Sequence, residues 1–176
     1  GGIAAAVLVF TNPTDSTILP WGVDTAPDEG LAVVTHYRAG ALADFVHSRY
    51  VHGCRDDGDT WGIIRDLDSN GRNSRHIHFA AFNPWEGNRL YFCAHSETEM
   101  DVEYTDDFHA AVVPIVWHDV AQAILREDGV VAKVHPAIAV ATPNGLVMGS
   151  DDVQGGIYII RPNNPTGPKI ELLARG

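Results

Sequence analysis

The sequence predicts an α+β domain in which short strands outnumber a few short helices. Three observations indicate this fold class. Short β-rich stretches recur along the 176 residues, helical spacing is confined to brief segments, and no series of long helices alternates with the strands as a doubly wound parallel sheet requires. Hydrophobic residues make up 45% of the chain, so a domain of this length can bury a core and we do not expect disorder.

Residues 1–49 are expected to form an N-terminal segment that packs on a main domain of residues 50–176. The segment begins with the apolar run Ile3–Phe10, which predicts a strand, and continues into a loop rich in proline and glycine. Leu31–Thr35 predicts a short buried strand, and Ala39–Ser48 has the apolar spacing of a helix. The first run is too short to cross a bilayer and no basic residue precedes it, so we expect neither a membrane segment nor a signal peptide.

The main domain carries the remaining predicted elements. Two short helices are expected behind capping residues, Trp61–Leu67 after Asp59 and Thr60, and Val120–Arg126 after Asp119. Strands are expected at Tyr50–Cys54, Arg75–Ala80, Ala110–Trp117, Ile138–Ala141, Gly145–Met148 and Gly156–Ile160. Asn144-Gly145 predicts a tight turn that enters one of these strands.

Acidic residues dominate the charge of the chain. The 12 Lys and Arg residues stand against 23 Asp and Glu residues, which gives a formal net charge of −11. Proteins that bind nucleic acid usually present a basic face, and this sequence has no basic stripe, so any contact with RNA would depend on a few arginines. The two cysteines, Cys54 and Cys93, cannot form a disulfide framework, which indicates a cytoplasmic or other reducing intracellular compartment.

The sequence His76-Ile77-His78 places two histidines at a spacing of two. On a strand both side chains point the same way, which suits a metal, a polar ligand or a purely structural pair. A zinc site needs further ligands, and Cys93, His95 and His109 are the nearest candidates. Because no second ligand pair with a metal-binding spacing accompanies the two histidines, we expect no bound metal.

A series of motifs is more specific than any one of them. It consists of His52-Gly53-Cys54, Trp61-Gly62-Ile63-Ile64-Arg65-Asp66-Leu67, Arg75-His76-Ile77-His78-Phe79-Ala80, His118-Asp119 and Asn144-Gly145-Leu146-Val147-Met148. Over about residues 50–161 this series resembles the catalytic domain of the RNA 2′-phosphotransferase family. Members of that family are NAD-dependent tRNA-splicing enzymes related to ADP-ribosyltransferases. The basic RNA-binding lobe of the family is not recognisable in residues 1–49.

The resemblance implies an ADP-ribosyltransferase-like split, bent β-sheet with NAD in the cleft between its halves, and His52 and His76 on adjacent strands. It implies a cofactor-binding set of His52, Gly53, Cys54, His76, Asn144 and Gly145, and a catalytic set of His78, Arg72 and Arg75. The two arginines are alternatives for one phosphate-facing role, because neither stands at the family position two residues before the first histidine.

The activity that the resemblance implies is transfer of an RNA 2′-phosphate to NAD with release of nicotinamide. Two alternatives stay open. The first is an ADP-ribosyltransferase or NAD hydrolase that acts on another acceptor, which the acidic charge favours. The second is an interaction module that kept the fold and lost the chemistry. The sequence indicates no particular protein partner.

Overall fold

The structure, a computed structural model, describes residues 18–37, 49–67, 76–95, 100–108, 115–120, 124–125, 131–132, 134–150, 155–161 and 169–175. In these ranges the chain forms fourteen strands and three 3-10 helices of three residues each. The strands are β1 (Val23–Ala26), β2 (Leu31–Thr35), β3 (Tyr50–Cys54), β4 (Trp61–Asp66), β5 (His76–Asn83), β6 (Arg89–His95), β7 (Met100–Thr105), β8 (His118–Asp119), β9 (Ile124–Leu125), β10 (Val131–Ala132), β11 (Pro136–Thr142), β12 (Gly145–Ser150), β13 (Gly156–Ile160) and β14 (Ile170–Ala174). The 3-10 helices are Pro20–Gly22, Pro27–Glu29 and Pro84–Glu86.

The predicted α+β class, with its split ADP-ribosyltransferase-like sheet, is wrong. The described strands form three four-stranded antiparallel sheets, ordered β1-β2-β3-β4, β5-β6-β7-β8 and β11-β12-β13-β14, beside a small pair β9-β10. His52 lies on β3 of the first sheet and His76 on β5 of the second, so the two histidines are not on adjacent strands. Within each of these sheets, strands that follow one another in the chain pair antiparallel, which is the pattern of an antiparallel protein and not of a sheet interleaved with helices.

Both predicted helices of the main domain are wrong as well. Trp61–Asp66 is a strand paired with β3, because the turn before it closes on itself: Asp56 accepts hydrogen bonds from the backbone N–H and the hydroxyl of Thr60. Asp119 lies in β8 opposite Glu103 and does not cap a helix, and Ile124–Leu125 forms β9.

Several predicted strands are confirmed, at Leu31–Thr35, Tyr50–Cys54, Gly156–Ile160 and within β5, β11 and β12. Pro143 and Asn144 form the expected turn between β11 and β12. Residues 115–117 are not strand. The predicted strand Ile3–Phe10, the predicted helix Ala39–Ser48 and residues 110–114 lie outside the described residues.

The sheet β5–β8 is the middle layer of the molecule. One face packs on the first sheet through a core that includes Val33, Val51 and Phe92, and the other face packs on the third sheet through a core that includes Cys93 and Leu146. All eight residues of β5 are buried as a result. Among the residues that the structure describes, no helix has the length and hydropathy that crossing a membrane requires.

Candidate metal centre

Three histidines meet at one end of the β5–β6 pair, where β5 begins and β6 ends. His76 and His78 lie on β5, and the antiparallel register places His95, the last residue of β6, directly opposite His76. The imidazole rings of His76 and His78 are stacked with their centroids 4.8 Å apart, and the ring of His95 meets both edge-on. One nitrogen from each ring falls within 4.8 Å of the others.

A β-bulge at His78 shapes this cluster. Ile77 pairs with Ala94 and Phe79 with Cys93, so His78 is the extra residue between two consecutive partners on β6. The bulge lets Ile77 pack in one core and Phe79 in the other, while His76 and His78 stay side by side. Bulges of this kind commonly redirect a side chain beside a functional site.

Hydrogen bonding fixes which nitrogen of His78 faces the cluster. Its Nδ1 lies 3.2 Å from the backbone carbonyl of Pro136, and a carbonyl only accepts, so Nδ1 carries the hydrogen and, in the neutral ring, Nε2 keeps its lone pair. That Nε2 lies 2.8 Å from Nε2 of His76, which in turn lies 3.1 Å from Nδ1 of His95. A backbone carbonyl holding the outer nitrogen of a histidine is the usual support of a metal ligand.

The inner nitrogens have more lone pairs than hydrogens to share. If Nε2 of His76 carries a hydrogen, it can donate to His78 or His95 but has no lone pair to offer. If it carries none, its lone pair faces that of His78 at 2.8 Å. In the first case His76 makes an ordinary hydrogen bond to one neighbour, whereas a cation placed between the three nitrogens would accept all three lone pairs at once.

The separations fit a transition-metal ion. Zinc binds imidazole nitrogens at about 2.0–2.1 Å, so nitrogens of one tetrahedral site lie about 3.3 Å apart. The contacts of 2.8 and 3.1 Å lie slightly below this value, and the widest separation, which is at most 4.8 Å, would have to shorten on metal binding.

The cluster lines a cavity of about 370 Å³. Its other walls are Leu19, Trp21, Tyr37, His135 and Ala137. The Tyr37 ring lies 4.3 Å from the ring of His76, and the His135 ring lies 5.8 Å from that of His95. Among the described lining residues there is no carboxylate, so the donors that face the cavity are nitrogen atoms and the Tyr37 hydroxyl.

The structure brings together only part of the predicted NAD site. His76 and His78 share the histidine cavity, whereas Gly53 lines a different cavity of about 560 Å³ beside Arg65 and Trp61. Arg72 and Arg75 lie outside the described residues.

Two of the predicted cofactor glycines have structural reasons to be glycine. A Cβ on Gly53 would come within 2.7 Å of the buried Phe108 ring. Gly145, which follows Asn144 at the start of β12, has φ 131° and its Cβ would lie 2.1 Å from the carbonyl oxygen of Ile160. Close packing and turn geometry therefore explain both positions without a ligand.

His52 and Cys54 are likewise engaged within the protein. Nδ1 of His52 lies 3.2 Å from Nε2 of the buried His36, and burial lowers the pKa of His52. The Cys54 thiol donates to the Asp56 carboxylate and accepts from the N–H of Gly58, and these bonds close the turn before β4. Hydrogen bonds from Cys54 and Thr60 lower the pKa of Asp56 to about 2. NAD binding by this set stays a prediction.

His95 was named from the sequence as one of three candidate further ligands, whereas His135 and Tyr37 were not placed in the site. The choice of His95 could have been made by counting outward from the turn at Pro84–Gly87, because a hairpin closed there pairs the start of β5 with the end of β6. The expectation that no metal binds rests on the lack of a second ligand pair with a metal-binding spacing, and the structure instead places a third candidate ligand, His95, on the neighbouring strand.

Comparison of the chain with protein-family models, with curated proteins and with solved structures found no match.

Proposed function

We propose that the protein binds a divalent transition-metal ion, zinc in the first place, through His76, His78 and His95, and that the ion acts on a ligand held in the adjoining cavity. The observation that carries the proposal is the convergence of three histidine nitrogens, two of the contacts being 2.8 and 3.1 Å.

The donor set selects the class of metal. Neutral imidazoles suit zinc, copper, iron and nickel, whereas magnesium and calcium prefer oxygen donors. Since the described cavity wall offers histidines and no carboxylate, a hard cation has little to bind there. Zinc is the first choice because three imidazole nitrogens can supply three of the four ligands of a tetrahedral site.

Three protein ligands leave a fourth position, which is the arrangement of catalytic zinc sites and not of closed structural ones. The cavity lies on the open side of the three histidines. When bound, such an ion supplies a Lewis acid and lowers the pKa of a bound water toward neutrality. His135 lines the same cavity, with its ring 5.8 Å from that of His95, and is the residue placed to accept a proton from a group at the fourth position.

A reducing compartment belongs to this proposal. Cys54 and Cys93 are both buried, on strands of different sheets, and the described fold uses neither in a disulfide.

Zinc titration of tag-free protein by isothermal calorimetry tests the proposal. We expect one zinc ion per chain for the wild type, and a loss of affinity of at least about 100-fold in His95→Gln, because one of three ligands is removed. The matched control is His118→Gln, which changes an exposed histidine on β8 outside the cavity and should leave zinc binding unchanged.

Equal zinc affinity in His95→Gln and wild type would refute the site. The same samples, titrated with NAD, test the resemblance independently. Heat of binding from NAD that is lost in His52→Gln but kept in His95→Gln would favour the NAD-dependent transferase over the metal site.

A further inference from the structure

A larger groove continues from the histidine cavity. It has a volume of about 780 Å³ and is floored by Ala80, Ala81 and Phe82 of β5. Trp21 lines both spaces, and along β11 Ala137 faces the histidine cavity while Ile138 and the residues after it face the groove. The two spaces therefore adjoin at Trp21 and along β11, and we call them together the cleft, with the three histidines in its smaller part.

The groove exposes an unusual amount of apolar side chain. Among the described residues, five of the ten large hydrophobic side chains that are exposed line it, with exposed fractions from 39% to 60%. They are Trp21, Val23, Trp85, Ile138 and Val140. A contiguous apolar patch of this kind on a folded domain marks a surface that another molecule covers.

The charge of the groove is negative. Asp28 and Glu29 are exposed on its wall beside Asp24, and the described lining includes no lysine or arginine. Asp24 is held in place, since its carboxylate accepts hydrogen bonds from the N–H groups of Phe82 and Thr25. With a net charge of −11 on the whole chain, the groove attracts basic ligands and repels acidic ones.

Two edge strands border the groove. β1 is the end of the first sheet and β11 the end of the third, as the described pairing has them. On β11 exposed Ile138 and Val140 alternate with less exposed alanines, so a strand laid beside it would meet side chains at its own period of two. Edge strands are where extended peptides add to a sheet.

We propose that this cleft binds an extended peptide in which apolar and basic residues alternate, laid along the edges of β1 and β11 with one end at the histidine cavity. The apolar side chains cover Trp21, Trp85 and Val140, and the basic side chains meet Asp28 and Glu29. This assigns a substrate class to the proposed metal site and in that respect rests on it. An oligosaccharide could stack on Trp21 and Trp85, but Val23, Ile138 and Val140 offer a sugar neither a stacking face nor a hydrogen bond, so it is the less suited occupant.

Fluorescence anisotropy with two labelled heptapeptides tests the proposal, one alternating valine with lysine and the other valine with glutamate. We expect the lysine peptide to bind the metal-free and the zinc-loaded protein, with at least about tenfold preference over the glutamate peptide and weaker binding at 1 M salt. Trp85→Ala and Val140→Ser should each weaken binding about fivefold or more. Leu173→Ser is the matched control, since Leu173 is an exposed apolar residue of β14 outside the cleft.

Three results would overturn the inference: no binding of the lysine peptide, equal binding by all variants, or binding of cellohexaose that depends on Trp85 in place of peptide binding. Zinc stoichiometry measured on the same samples separates the two proposals. Full zinc binding without peptide binding would refute only the peptide proposal, and peptide binding without zinc binding would refute only the proposed metal site.

Discussion

Gly53, which the resemblance assigned to NAD binding, is needed for close packing in the core. Its backbone lies against the Phe108 ring, and Phe108 is fully buried in the core between the first two sheets. Gly62 is its direct partner across β3 and β4, yet a Cβ there would meet nothing within 4 Å. The two glycines therefore form a natural pair for comparison.

We expect Gly53→Ala to lower the free energy of unfolding by about 1–3 kcal/mol, because the new methyl group overpacks the core against Phe108. Gly62→Ala should change it by less than about 1 kcal/mol. Urea unfolding of both variants checks the difference. A Gly53→Ala protein as stable as Gly62→Ala would show that the Phe108 contact does not constrain β3.

His52 gives the fold a dependence on pH. Burial lowers the pKa of His52 below its ordinary value, so the unfolded chain takes up a proton at a higher pH than the folded one. The stability that neutral His52 contributes is fully present above about pH 6.5 and is lost as the pH falls through the lowered pKa. We therefore expect the melting temperature to fall less between pH 7.5 and pH 5.5 in His52→Gln than in the wild type. An equal fall in both proteins would contradict the assigned cause.

At the scale of elements, a buried ion pair ties the first sheet to the second. Arg65 of β4 donates from Nε and Nη2 to the carboxylate of Glu103 on β7, with the closest contact 2.8 Å, and lies over the Trp117 ring. The Glu103 side chain is 1% exposed. Such a pair is costly to break from one side, because the remaining charge stays buried without its partner.

Arg65→Met should destabilise the protein by about 3–5 kcal/mol, and the double variant Arg65→Met/Glu103→Leu should recover most of this loss. Arg161→Met is the control, since the Arg161–Glu171 pair is exposed and should contribute less than about 1 kcal/mol. Urea unfolding of the four proteins measures these differences. If the double variant is as unstable as Arg65→Met, lost packing, and not the unpaired buried charge of Glu103, causes the loss of stability.

At the scale of the whole molecule, the sequence predicted individual strands better than the fold. Short apolar runs such as Leu31–Thr35 and Gly156–Ile160 are local features and were found. The fold class was missed for two reasons. The strands β6 and β7 were not recognised, and Asp59 and Thr60 were interpreted as the start of a helix. In the structure Thr60 instead donates hydrogen bonds to Asp56 and closes a turn. Which strands form the middle layer depends on long-range packing that no local pattern records.

The candidate site was likewise predicted only in part from the sequence. The His76 and His78 pair is visible as a local spacing, but His95 joins it through the β5–β6 pairing and His135 through the packing of β11 on β5. Tyr37 follows β2 and is brought there beside His36, whose carbonyl accepts a hydrogen bond from the N–H of Ile77. The sequence therefore supplied the pair and offered His95 as one of three further candidates, and the antiparallel register selects His95 among them.

The most direct test of the metal centre is a crystal of the zinc-loaded protein measured on both sides of the zinc absorption edge. We expect one strong anomalous peak between His76, His78 and His95, with zinc–nitrogen distances of about 2.0–2.1 Å. Data without a peak at that position, or with zinc bound only at surface histidines such as His118, would contradict the account.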